Sequence, residues 1–271
     1  MAAPLLRLGT RGSKLALVQA GLVRDALAAA VPALAAADAI EIVTIRTTGD
    51  AIQDRPLSEA GGKGLFVKEI EEALFAGRID AAVHSMKDMP TVQPAGLAIA
   101  SFLPREDARD VLIAGDVARI ADLKRGAIVG TSALRRRAQL LHRRPDLQIV
   151  TLRGNVDTRL AKREAGAVEA TLLALAGLKR LGLGHVGRPI PEDEVLPAVG
   201  QGAVCLECRV DDSPTRESLA SIDHAPTATC VRSSSMSPLA RFAPPRRRSV
   251  SPRATSRDRP PADAITTSAN R

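Results

Sequence analysis

From Leu5 to Arg209 the chain alternates short apolar runs with stretches of helical periodicity, and that alternation most narrows the folds open to it. Leu5–Gly9, Glu41–Arg46, Ile79–Val83, Leu97–Leu103, Val111–Ala114, Ala127–Gly130, Gln148–Leu152 and Ala170–Leu175 read as strands. Ser13 is placed to cap a helix running to about Ala30, with Leu17, Leu22 and Val23 at its apolar positions. G-G-K-G-L-F-V-K-E-I-E-E-A-L-F opens a second, amphipathic helix. No helix fits between Leu97–Leu103 and Val111–Ala114, which puts a crossing between domains near Pro104–Asp110. V-L-P-A-V-G-Q-G-A-V-C-L-E-C-R reads as a strand returning to the first domain, with Gly200 and Gly202 permitting a tight crossing. The expected fold is α/β with two doubly wound domains, residues 1–104 plus 200–222 and residues 105–199.

The stretch R-I-D-A-A-V-H-S-M-K-D-M-P is where chemistry concentrates. Ile79–Val83 reads as a buried parallel strand delivering His84, Ser85, Lys87 and Asp88 at its carboxyl end, where open α/β sheets bind ligands. A loop aspartate such as Asp88 is either a turn former or, with basic neighbours, a catalytic carboxylate. Arg11 sits between a strand end and a helix start, a solvated residue or a carboxylate clamp. Lys63, within the glycine-rich run, has the same two readings; the Walker spacing is absent. Three strand–helix junctions then carry Arg135 and Arg136, Arg153 and Arg159, and Arg180. Cations in the opening turns of a helix oppose its macrodipole, so their repetition points to an anion-lined cleft.

The net charge of +8 does not change this reading once it is located. Residues 233–271 carry eight Arg and two Asp, whereas the preceding 232 residues hold 30 basic and 28 acidic groups. A nearly neutral body with 1% aromatic residues to stack bases fits small anionic ligands better than a polynucleotide. No apolar run is long enough to cross a bilayer and the N-terminus has no secretory-signal order, so a cytoplasmic protein without a membrane or nucleic-acid partner is expected. Cys205 and Cys208, three apart on an extended strand, face opposite ways; neither zinc nor redox use is expected of them.

Between Leu6 and Arg232, R-L-G-T-R-G-S-K-L-A-L, G-G-K-G-L-F-V-K-E, A-V-H-S-M-K-D-M-P, G-T-S-A-L-R-R, L-R-G-N-V-D-T-R-L and L-P-A-V-G-Q-G-A-V together strongly resemble the porphobilinogen deaminase family, also called hydroxymethylbilane synthase. The resemblance implies head-to-tail condensation of four porphobilinogen units with loss of ammonia, in tetrapyrrole (haem) biosynthesis, by a monomer. It implies two domains like those of periplasmic binding proteins and a third, α+β domain. It makes Asp88 the catalytic carboxylate, stabilising cationic azafulvene and pyrrole intermediates. It assigns Arg11, Ser13, Lys63, Ser85, Lys87, Thr131, Arg135, Arg136, Arg153, Arg159 and Arg180 to carboxylates of substrate or of the dipyrromethane cofactor, and sets Gln201 near that cofactor. His84 becomes a structural neighbour of Asp88.

The sequence departs from the family pattern after Arg232. The G-G-C-x-x-P-[IL] motif that carries the dipyrromethane is absent, and Cys230 lies in a T-x-x-C-V-R setting expected to be a buried or half-buried helix position. Residues 223–271 read as a remnant of the third domain followed by an Arg/Ser/Pro-rich tail, which has too few apolar residues for a core and is expected to be disordered. Its composition matches a frame-altered GC-rich sequence. The alternative function is then a two-domain protein that binds porphobilinogen or another polycarboxylate without turnover.

Overall fold

The computed structural model describes residues 4–51 and 66–235; Lys63, its glycine-rich run and the tail from residue 236 onward lie outside them, whereas the tail's first three residues end a helix. The elements in chain order are β1 (Leu6–Arg11), α1 (Lys14–Ala30), β2 (Ile40–Ile45), the single turn α2 (Thr48–Ala51), α3 (Lys68–Phe75), β3 (Ala81–Ser85), β4 (Leu97–Phe102), β5 (Asp110–Ile113), β6 (Ile128–Gly130), α4 (Leu134–Arg143), β7 (Gln148–Val150), α5 (Val156–Glu164), β8 (Ala170–Ala174), α6 (Leu175–Arg180), β9 (Arg188–Pro189), β10 (Val204–Arg209), α7 (Ser213–Ala220) and α8 (Ala225–Ser235). They build two five-stranded sheets, ordered β2-β1-β3-β10-β4 and β7-β6-β8-β5-β9. Both sheets are mixed. β1 pairs in parallel with β2 and β3, whereas β10 runs antiparallel to β3 and β4. β6 pairs in parallel with β7 and β8, and β5 runs antiparallel to β8 and β9.

Each sheet is covered on both faces, as expected for apolar strand runs. In the first, Ala20, Val23 and Leu27 of α1 pack on Leu6, Leu8, Val83, Leu206 and Cys208, while Ile70, Ala73 and Leu74 of α3 cover Ala82 and Leu97 from the other side. In the second, Leu140 of α4 packs with Leu112, Val129 and Leu172, and Leu175 and Leu178 of α6 pack with Val111, Ile113 and Leu173. Ser13 caps α1, accepting from the Ala16 amide at 3.3 Å.

Several sequence expectations are corrected. β3 is buried but only half parallel, because β10 returns alongside it in the opposite direction. It also begins two residues later than expected: Ile79 still closes the turn after α3 through its amide to Ala73, so His84 and Ser85 lie within the strand. Leu17 and Leu22 face outward, since the buried face of α1 is Ala16, Gln19, Ala20, Val23 and Leu27, whose alanines let the helix approach the sheet closely. Residues 195–203 are not strand, because Gly200 (φ +70°) and Gly202 (φ +90°) turn the chain before β10 starts. A Cβ on Gly202 would lie 2.2 Å from the Glu106 carbonyl oxygen. Gly202→Ala is therefore expected to cost about 2 kcal/mol or more, read as a lower urea midpoint at unchanged slope.

Arg180 closes α6 rather than opening it, so it complements the helix dipole; only Arg135, Arg136 and Arg159 stand in opening turns, and Arg153 precedes its helix. Cys230 is exposed on α8, not buried, because Thr227, Ala228 and Val231 form that helix's packed face. Cys205 and Cys208 fall into separate apolar clusters on opposite faces of β10.

Candidate active site

The end of β3 is set against the second sheet's helices. Met86–Asp88 forms one tight turn after Ser85, closed by the Met89 amide on the Met86 carbonyl. The turn is held from below: the Met86 amide donates to Ala203, and a side chain at Gly200 would meet Met86 Cγ at 2.7 Å. Asp88 and Lys87 are both half-buried, and neither makes a hydrogen bond or ion pair with any described residue. Around Lys87 stand Asp88, Arg136, Asp110 and Arg159. Desolvation pushes the Lys87 ammonium below the usual lysine range, the nearby guanidiniums adding to the effect and the carboxylates opposing it. Arg159 is pushed down to about 10, first by burial and then by Arg136 and Arg153, with Asp88 acting the other way. Its Nε donates to Gly154 at 2.9 Å, which leaves the outer fork of the guanidinium uncommitted among the described residues.

The other residues singled out from sequence are distributed unequally. Arg11 lies 4.0 Å from the centroid of the Phe66 ring, a cation–π contact. Ser85 Oγ is 3.0 Å from Nε2 of the buried Gln19 on α1, and Ser13 is a helix cap. Thr131 is buried and accepts from the Ala133 amide at 3.2 Å. Arg153 is half-buried just before α5 and close enough to Arg159 to act on its charge. Arg180 donates to the Gly202 carbonyl at 2.7 Å, pinning α6 to the crossing before β10.

Arg135, Arg136 and Gln201 converge on one internal carboxylate, Asp110. Arg135 Nη2 donates to it at 2.7 Å, Arg136 Nη2 at 2.8 Å and Gln201 Nε2 at 2.9 Å. Burial alone would raise the Asp110 carboxyl, but the two arginines hold it below the usual carboxylate range. Sequence reasoning missed Asp110; the available signal was a lone aspartate at the start of an otherwise apolar strand, D-V-L-I. It also missed the buried Glu207, whose Oε2 lies 3.4 Å from His84 Nε2. His84 therefore faces β10 and the underside of the sheet.

Among the described residues the arrangement offers fixed cations, two uncommitted ones and an unpaired carboxylate, which suits an anionic ligand that develops positive charge. No helix among the described residues is long and apolar enough to cross a membrane.

A family model described as "Porphobilinogen deaminase, dipyromethane cofactor binding domain" matches residues 6–217. A porphobilinogen deaminase of Paracoccus denitrificans is 58% identical over 227 residues, 83% of this chain and 72% of that relative. A chloroplastic porphobilinogen deaminase of Oryza sativa is 52% identical over 228 residues, 84% of this chain and 64% of that one. This chain thus spans about two thirds of the length of such relatives. Among solved structures, a periplasmic substrate-binding protein from Coxiella burnetii matches at TM-score 0.46 and 16% identity over 84% of this chain and 96% of that one, a likeness too loose to add to the topology above. With a domain match covering both sheets and more than half the residues identical to these deaminases over that length, the chain belongs to the porphobilinogen deaminase family, transferases (hydroxymethylbilane synthases) of tetrapyrrole biosynthesis whose matched domain binds dipyrromethane.

Proposed function

We propose that this chain captures porphobilinogen by its carboxylates and carries out the family's head-to-tail condensation with release of ammonia. The observation that carries the reading is an Asp88 carboxylate without a partner among the described residues, beside two cations, Lys87 and Arg159, with hydrogen-bonding capacity to spare there. Porphobilinogen brings an acetate and a propionate, which these cations can hold. As ammonia leaves its aminomethyl carbon, positive charge develops on the pyrrole, and Asp88 opposes that charge and can accept or return a proton. In this reading residues 1–104 plus 200–222 carry the Asp88 loop, residues 105–199 carry the anion-binding arginines, and the protein works as a cytoplasmic monomer.

The donor set also fits a dipyrromethane, whose four carboxylates call for cations of this kind; Lys87, Arg153 and Arg159, joined by Arg135 and Arg11, would hold it. When bound, that group supplies the pyrrole end to which further units are joined. Cys205 and Cys208 are buried in β10 with thiols pushed up by burial, and neither suits attachment.

The test is incubation of the purified chain with porphobilinogen, following ammonia release and intact mass. Ammonia together with added pyrrole mass supports turnover. Calorimetric binding without ammonia favours the non-turnover alternative, and no binding removes both readings.

Capture should depend on pH through Lys87. Its folded-state value lies below that of the unfolded chain, so the unfolded chain holds more protons between the two values and stability rises with pH across that window. Ligand affinity changes the opposite way, because a bound carboxylate needs the ammonium charged. Binding is expected to weaken as pH rises through the folded value and to take up a proton there, seen as heats that vary with buffer ionisation enthalpy. Lys87→Met should abolish that proton uptake.

A further inference from the structure

We propose that Asp110 is a positioning residue for anion capture, an internal carboxylate that sets the orientation of Arg135 and Arg136 and ties both to the segments joining the two sheets. The inference rests on the reading of the site as a carboxylate-capturing one.

Asp110 is the first residue of β5 and is fully buried. Arg136 approaches it with Nε at 3.2 Å and Nη2 at 2.8 Å, and its remaining Nη1 donates to Leu172 at 2.9 Å. All three nitrogens of the Arg136 guanidinium therefore bond within the protein, and it acts on a ligand by its charge. Arg135 shares the carboxylate through Nη2, and its Nη1 donates to the Leu196 carbonyl, so one edge of its half-buried fork stays outward. Gln201 Nε2 donates both to Asp110 and, at 2.6 Å, to the Ala108 carbonyl. Ala108 leads into β5 and Gln201 lies in the turn before β10, so the same carboxylate holds the helix bearing the arginines and both connecting segments.

Stability alone is a poor reason for such a node. Replacing a buried ion triad by apolar residues is often neutral or stabilising, because desolvation offsets the Coulombic gain. Here two guanidiniums share one carboxylate, which leaves a net positive charge, and Lys87 feels both Arg136 and Asp110. A preset cation next to the Asp88 turn costs a ligand less reorganisation than a mobile one.

The experiment is a double-mutant cycle in the full chain, with porphobilinogen titrated calorimetrically into the unmodified chain, Asp110→Asn, Arg135→Gln and the double variant. Each single change is expected to weaken binding about tenfold, and the double variant to be no weaker than the weaker single, since both remove one coupled element. Losses that multiply to about a hundredfold, or undiminished affinity in Asp110→Asn, overturn the proposal. The second readout needs no ligand. Nitrogen-15 spectra of the arginine side chains should show slowly rotating Nη groups for Arg136 in the unmodified chain, lost in Asp110→Asn. Averaged Arg136 signals in the unmodified chain overturn the proposal even where Asp110→Asn fails to fold. If the unmodified chain does not bind porphobilinogen, the functional reading falls, and the Arg136 spectra alone decide the positioning.

Discussion

Asp88→Asn is expected to slow ammonia release from porphobilinogen by roughly 10²–10⁴-fold while leaving the dissociation constant within about threefold of its starting value. The split follows from what Asp88 touches. It makes no hydrogen bond or ion pair with a described residue, so its removal orphans no buried group and should not loosen the turn, which is closed by backbone contacts of Met86 and Met89. Ligand carboxylates are read as held by cations, which the substitution leaves in place. What disappears is the negative charge opposite the carbon from which ammonia departs, an interaction stronger in the transition state than in the ground state. Pre-steady-state ammonia release with parallel calorimetry measures both quantities. A loss of affinity equal to the loss of rate would mean that Asp88 organises the binding site instead of acting on the reaction.

The second large effect separates two arginines that look alike in sequence. Arg136→Ala should destabilise the chain by about 3–5 kcal/mol, because it strips the fully buried Asp110 of its bidentate partner and empties a buried site. At this size that corresponds to a melting midpoint lower by roughly 10 °C. Arg159→Gln should behave in the opposite manner. Its guanidinium is desolvated and repelled by Arg136 and Arg153, effects that outweigh the attraction of Asp88, and among the described residues it makes a single hydrogen bond, to Gly154, so losing the charge should leave the midpoint level or slightly higher. Porphobilinogen binding should nevertheless fall about tenfold or more, as expected for a lost charge-assisted contact. Thermal melts of the two variants beside calorimetric titrations decide the matter; a stability loss in Arg159→Gln comparable to that in Arg136→Ala would show that both serve the fold.

These two residues also show where reading the sequence stops. Local pattern was enough to recognise that strands alternate with helices, that Ser13 caps α1 and that Cys205 and Cys208 face apart, because each depends on neighbours within a few positions. The basic helix starts at Arg135, Arg136 and Arg159 were legible for the same reason, as cations placed against the helix dipole. Arg180 was misread because its helix is only six residues long, and a residue expected in the first turn became the last. Leu17 and Leu22 were misread because small alanines, not large apolar residues, mark the buried face of α1.

The sequence by itself determined the element types, the two-sheet α/β plan and, through its ordered blocks, the family. The tertiary structure decided which cations are committed and which are left over. Arg136 and Gln201 are consumed by Asp110, and His84 faces Glu207, while Lys87 and the outer fork of Arg159 remain uncommitted among the described residues beside Asp88. The physical reason is that a guanidinium's partner is set by long-range packing: Asp110 lies 26 residues from Arg136 and 91 from Gln201, separations that no local periodicity encodes.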